Sequence, residues 1–156
     1  MENIQRTTNW INKILSELSY IENDKGLEIL YQCGKDCCEK SNLYQGAVTI
    51  RNQYRAEKDD DKLFEEFKSH FYNSDKLTKI GKSITLIFEE CTCSIVRNGV
   101  NNSFLCNCTI GYSKKVFETL FEKEVIIDLE KSILKGNSVC KQNIEILDKR
   151  CDNRNL

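Results

Sequence analysis

FEECTCSIVRNGVNNSFLCNCTIGYSKKVFETLFEKEVIIDLEKSILKGNSVC, running from Phe88 to Cys140, carries five of the chain's nine cysteines. Four of them form two Cys-x-Cys pairs, Cys91 with Cys93 and Cys106 with Cys108, and Cys140 closes the stretch. Between the thiols lie one helical and two strand patterns. Lys114 to Glu122 sets Val116, Phe117, Leu120 and Phe121 at three- and four-residue intervals, the spacing of one helical face. Val125 to Leu129 then alternates, Lys135-Gly136-Asn137 supplies turn chemistry, and Val139 to Ile146 returns with Ile144 and Ile146, which reads as a terminal hairpin.

Just upstream, Leu77 to Ile80, a tight turn at Gly81-Lys82, and Ile84 to Cys93 with Ile84, Leu86 and Phe88 alternating read as another hairpin. The sequence before it is helical in texture. Ile4, Ile11, Ile14, Leu15, Leu18 and Ile21 mark one face of a helix over Asn3 to Ile21, flanked by Trp10. Asn23 or Asp24 is expected to cap a second helix from Lys25 to about Lys40. Ser41 to Gly46 reads as a turn, Ala47 to about Lys58 as a third helix, and Lys62 to Tyr72 as a fourth, with Leu63, Phe64, Phe67 and Phe71 inward. The charge run Glu57 to Lys62 is a solvated helix entry, its acids near the positive end of the dipole; it lacks the alternating oxygens and closing Glu of a calcium loop. Helices first and sheet second imply the α+β class, with N-terminal helices packed on a twisted antiparallel sheet and one helix inserted between the two C-terminal strand hairpins. One domain is expected over residues 1–147, mainly helical to 75 and sheet plus helix from 76, before a polar tail, 148–156, in which Cys151 is incidental.

The bulk composition agrees and excludes several functions. A chain of 156 residues with 40% hydrophobic content is enough for one core. A net charge of -1 with 30% charged residues gives no positive field for nucleic acid or anionic lipid. No apolar run approaches a membrane span, and the polar start MENIQRTTNWINKIL is no secretory signal, so a cytoplasmic protein without membrane or nucleic-acid partners is expected. In that compartment thiols stay reduced, and nine cysteines, an odd number, are ligands, reactive groups or core filler.

Spacing decides which thiols can act together. In a strand, residues two apart share a face, so Cys91 and Cys93, and Cys106 and Cys108 if Phe104 to Cys108 is extended, would project in pairs and meet across the Asn98-Gly99 and Asn101-Asn102 turn signals. On the second helix Cys33 and Cys37 lie one turn apart and face the same way, while Cys38 is rotated off by about 100° and reads as a small buried hydrophobe. Three uses stay open for the grouped thiols: a metal or cluster site, a thiol-lined pocket without metal, and plain packing. Soft sulfur ligands select zinc first and an iron–sulfur cluster second, although structural zinc sites favour Cys-x-x-Cys over Cys-x-Cys. A thiol pair just before the helix, capped by Thr109 or Ser113, would sit in positive potential that lowers thiol pKa. Gly111 would admit close approach of backbone or ligand and Tyr112 an aromatic wall. His70, the single histidine, is expected to pack or face solvent and would have to serve any Cys–His mechanism.

Cys106, the Gly111-Tyr112 step into a helix, the strand Val125 to Leu129, then Gly136, three residues, Cys140 and a strand together resemble the vinyl-reductase-type small-molecule-binding domain, a fold relative of TRAPP trafficking subunits. The two Cys-x-Cys pairs, Ser132-Ile-Leu-Lys-Gly136 and the upstream Cys33-Gly-x-x-Cys37 look closer still to a prokaryotic cysteine-rich family grouped with aminothiazoline-carboxylate hydrolases. The resemblance spans Ile84 to Ile146 and extends to Cys33 and Cys37. It implies helices on a twisted antiparallel sheet, frequent homodimers and a cysteine-lined pocket able to hold zinc, with Cys106 and Cys140 at the recurrent cysteine positions and Ser132 where that pattern has a third. The expected function is a cytoplasmic small-molecule-binding or sensing domain with Gly111, Tyr112 and Cys140 at the ligand and Cys33, Cys37, Cys91, Cys93, Cys106 and Cys108 as the metal-ligating set. The rivals are a hydrolase using a metal-bound water or a nucleophilic Cys106 or Cys108, and a structural homodimer module without catalysis.

Overall fold

Apolar residues recurring every three to four positions, unbroken by proline, give the first half of the chain four helices. The computed structural model describes residues 2–70 and 76–150, and in it these are α1 (Glu2–Leu18), α2 (Lys25–Cys38), α3 (Asn42–Gln53) and α4 (Asp60–Ser69). Strands β1 (Leu77–Ile80) and β2 (Ser83–Phe88) follow, then a short helix α5 (Ser94–Arg97), the long helix α6 (Cys106–Phe121), β3 (Lys123–Lys131) and β4 (Cys140–Arg150). Phe71, Tyr72 and Cys151 lie outside the described residues.

The four strands form an antiparallel sheet in the order β1-β2-β4-β3, so the terminal strand is inserted between β2 and β3. Its register sets Ile84 opposite Ile144, and Ile144 opposite Ile127. With side chains alternating along each strand, Ile84 and Leu86, Ile144 and Ile146, and Val125 all face one layer of helices. Val116, Phe117, Leu120 and Phe121 of α6 cover that face, joined by Leu63, Phe64 and Phe67 of α4 and Ala47 and Ile50 of α3. The fold is α+β as expected, with α6 between the two hairpins in sequence.

Several boundaries differ from expectation, each for a local reason. Helix α3 starts at Asn42 rather than Ala47 because the Ser41 hydroxyl accepts the Tyr44 amide at 3.2 Å, making a cap of an expected turn. Asp24 does precede α2, but in a left-handed conformation (φ 58°) without a side-chain cap bond. Strand β2 stops at Phe88, where pairing with Cys140 ends, so Cys91 and Cys93 lie in the connection to α5 and not in a strand. Nor is Phe104 to Cys108 extended. A single 3-10 turn over Ser103–Leu105, capped by the Asn102 side chain, feeds directly into α6 at Cys106, eight residues before the expected start and upstream of both Thr109 and Ser113.

Helix α2 lies against α6. A Cβ on Gly34 would stand 1.9 Å from the Cys108 carbonyl oxygen, and one on Gly111 would stand 2.1 Å from the Tyr31 carbonyl oxygen. Two glycines, one on each helix, therefore let the backbones touch, and the thiol-bearing turns of both helices are brought together at that crossing.

Candidate functional site

The facing turns of α2 and α6, the loop after β2 and the start of β4 carry seven of the cysteines. Their exposure is graded: Cys33 and Cys37 are exposed, and Cys91, Cys93, Cys106, Cys108 and Cys140 are half-buried. All are free thiols, as is Cys38, which is fully buried in the main core as its offset from the Cys33/Cys37 stripe foretells.

Because α6 begins at Cys106, the Cys106–Cys108 pair obeys helical and not strand geometry. Two residues apart on a helix is a rotation of about 200°, so the pair points to nearly opposite sides. Cys106 faces the sheet edge, where its Sγ lies 3.0 Å from the Ser132 Oγ. Ser132 is completely buried, and its amide donates to the Asn137 side chain at 3.1 Å. Close by, the Ile133 amide donates to the Cys140 Sγ at 3.4 Å. Burial pushes the Cys106 thiol pKa up, the Ser132 hydrogen bond opposes it, and the neighbouring Cys140 and Cys91 raise it further.

Cys108 faces the other way. Burial pushes its thiol up to about 12, and Cys37, Cys93, Cys33 and then Cys106 add like-charge repulsion to the ionised form. Cys108 and Cys93 pack against the same small cluster of Leu15, Leu30, Val100 and Leu105. The expectation that the helix start would lower these thiols is not met at Cys106 and Cys108, where loss of solvation shifts both upward.

Gly111 and Tyr112 have other employment. The open side of Gly111 is filled by the Tyr31 backbone. Burial raises the Tyr112 hydroxyl pKa, the Ser41 hydroxyl opposes the shift, and Cys38 and Cys37 add to it at the α2–α3 joint. His70 ends α4, exposed, with Nδ1 at 2.9 Å from both the Glu66 carbonyl and the Ser69 hydroxyl, so its bonds are to its own helix. A cavity of about 370 Å³ lies elsewhere, between α1 and the α5 loop, lined by residues that include Ile4, Ile11, Ile95 and Val100. Sequence reasoning missed the Gly34 contact that organises the site; the signal was a glycine inside a helical pattern, which marks close packing.

Zinc, implied by resemblance at Cys106, Cys140 and the position held by Ser132, does not fit there. The third soft ligand is replaced by a hydroxyl already bonded to Cys106, and among the described residues no three His, Cys, Asp or Glu side chains are arranged to hold a metal ion. Nor is any helix among them long and apolar enough to cross a membrane.

A search of the curated proteins found no match. A family model does match residues 1–151, which is nearly the whole chain and takes in every thiol of the crossing. The chain belongs to the family of unknown function DUF6144.

Proposed function

We propose that the protein is a cytoplasmic small-molecule-binding or sensing domain whose ligand is met by Cys91, Cys106, Ser132 and Cys140 at the start of α6. The observation that carries this reading is the 3.0 Å contact between the Cys106 sulfur and the buried Ser132 hydroxyl, with the Cys140 sulfur fixed nearby by the Ile133 amide. Three segments distant in sequence contribute polarizable sulfur and a hydroxyl to one place, and a buried hydroxyl paired only with a weak sulfur partner keeps acceptor capacity to offer. Protonated thiols suit binding better than nucleophilic attack, since the thiolate is the nucleophile and burial keeps Cys106 and Cys108 neutral. Free thiols at all eight cysteines among the described residues fit a reducing compartment.

Alkylation of the native protein with iodoacetamide, followed site by site by mass spectrometry, tests the reading. Protein as purified is compared with protein stripped by gel filtration in mild denaturant and chelator, then refolded. A bound ligand protects Cys106 and Cys140 before stripping and not after. Equal rates at both sites in the two samples overturn the proposal.

A further inference from the structure

Gln142 is buried in a way that packing alone does not explain. It lies on β4 with 1% of its surface accessible, and its carboxamide Oε1 has no hydrogen-bond partner among the described residues. Buried polar atoms are as a rule paired, because their lost hydration is not otherwise offset. Arg51 Nε and Thr119 Oγ1 share the condition, but each is placed differently. The Arg51 guanidinium already donates through Nη2 to the Tyr54 and Glu57 carbonyls, and Thr119 lies towards the far end of α6.

The register of the sheet sets Gln142 beside the ligand thiols. Cys140 and Gln142 are two residues apart on β4, so their side chains leave the same face, about 6–7 Å apart along the strand. That is the helix-covered face, shared with the buried Ile144 and Ile146. Across the sheet, Gln142 pairs with Leu86 of β2 on one side and Leu129 of β3 on the other. Three residues beyond Leu129 comes Ser132, fully buried, with its Oγ 3.0 Å from the Cys106 Sγ. The next amide, that of Ile133, holds the Cys140 Sγ at 3.4 Å. Cys106 and Cys140 are half-buried, so the group is reached from solvent at the thiols while Gln142 lies deeper.

We infer that Gln142 selects the ligand of this site, its carboxamide pairing with the adjacent N–H and C=O of an uncharged cis-amide, a lactam or an oxo-substituted nitrogen heterocycle. The inference rests on the small-molecule-binding reading above and names its ligand class. A carboxamide presents an acceptor oxygen and an NH2 donor side by side in one plane, and a cis-amide presents the complementary pair. Its N–H supplies the donor that Oε1 lacks. Leu86 and Leu129 flank Gln142 with apolar surface, so an ionised ligand would lose its hydration there without a counter-charge. The sulfurs of Cys106 and Cys140 add polarizable surface for the ring.

Iodoacetamide modification of the stripped protein in the presence of 2-pyrrolidone, or of cyclopentanone, which has the same shape without the N–H, tests this. Affinity is read as the probe concentration that halves the modification rate of Cys106 and Cys140. 2-Pyrrolidone is expected to bind about tenfold more tightly than cyclopentanone, the effect of one well-placed hydrogen bond. Gln142→Met keeps the length of the side chain without its carboxamide, so it should abolish that preference. The same change removes an unpaired buried carbonyl and should raise Tm by about 2–4 °C. Asn143→Ala, on the opposite face of β4 where the Asn143 Nδ2 donates to the Glu130 carboxylate at 2.9 Å, leaves the preference unaltered. No protection by 2-pyrrolidone, equal protection by the two probes, a preference that survives in Gln142→Met, or a fall in Tm in that variant would each overturn the role of Gln142. None of these alters the contrast between purified and stripped protein, so the broader reading stands or falls separately.

Discussion

Two apolar clusters divide the molecule unequally. The larger joins α3, α4 and α6 to the sheet through Phe64, Phe67, Phe117, Phe121, Ile84, Val125, Ile144 and Ile146, all nearly inaccessible to solvent. The smaller, four buried residues between α1, α2 and the start of α6, is the one Cys93 and Cys108 pack against. Burial of apolar area scales with the number of such side chains, so the large cluster holds the fold and the small one holds the thiols in place. The far end of α6 is anchored in the large cluster, and its thiol-bearing turn packs outside it, on the small cluster and α2.

The most demanding test of that division is truncation of an aromatic. Phe117 meets Phe67 edge-on at 6.0 Å and lies parallel to Phe121 at 6.3 Å, so Phe117→Ala is expected to cost about 3–5 kcal/mol by urea unfolding. Leu30→Ala in the small cluster should cost about 2 kcal/mol, the low end for such a change. Equal losses at the two sites would break the comparison.

A smaller effect is expected at the joint between the clusters. Gly34→Ala forces a methyl to within 1.9 Å of the Cys108 carbonyl oxygen, backbone against backbone, so the helices must separate. Overpacking of that kind costs about 1–3 kcal/mol. It outweighs the gain of about 1 kcal/mol in helix propensity, and differential scanning calorimetry should show a net fall in Tm. A rise would mean that the crossing is looser than its geometry.

The larger cluster was the legible one. Period-two and period-three-to-four patterns over Ile84 to Phe88, Lys114 to Phe121 and Val125 to Ile146 specify which faces are buried, and hence the α+β class and the hairpins. The thiol end was not, because its determinants are local and nonperiodic. CysAsnCysThrIleGly begins a helix with no acceptor side chain at its cap and two β-branched residues, so Cys106 to Ile110 carried no helical signal. Whether a Cys-x-Cys pair shares a face or splits depends on that one assignment. Likewise, Gly34 and Gly111 are ordinary helix-weakening residues until the chain is folded and each is opposite a carbonyl.

Alkali should distinguish the clusters by titration. Burial raises Cys38, in the large cluster, to about 11 and Cys108, beside the small one, to about 12, from 9.0. A raised thiol pKa means the folded state keeps protons that the unfolded chain has lost, so unfolding free energy decreases with rising pH. The stabilisation is complete below about pH 9 and is lost as pH climbs towards the folded values. Removing either thiol, as Cys38→Ala or Cys108→Ala, should flatten the alkaline limb of stability against pH. An unchanged slope in both variants would show that neither burial is real.

The sharpest version of the comparison is between adjacent residues. Cys37 is exposed and Cys38 has no accessible surface, so the boundary between the thiol site and the large core falls within one peptide unit of α2. Serine at position 38 puts a hydroxyl into the core at a cost of about 1–3 kcal/mol. Cys37→Ser is expected to change stability by less than about 0.5 kcal/mol, as surface substitutions do. Chemical denaturation of the two variants side by side measures both. If Cys37→Ser is as destabilising as Cys38→Ser, then the exposed thiol is a packing residue after all, and the division between a buried and an exposed face does not hold at this turn of α2.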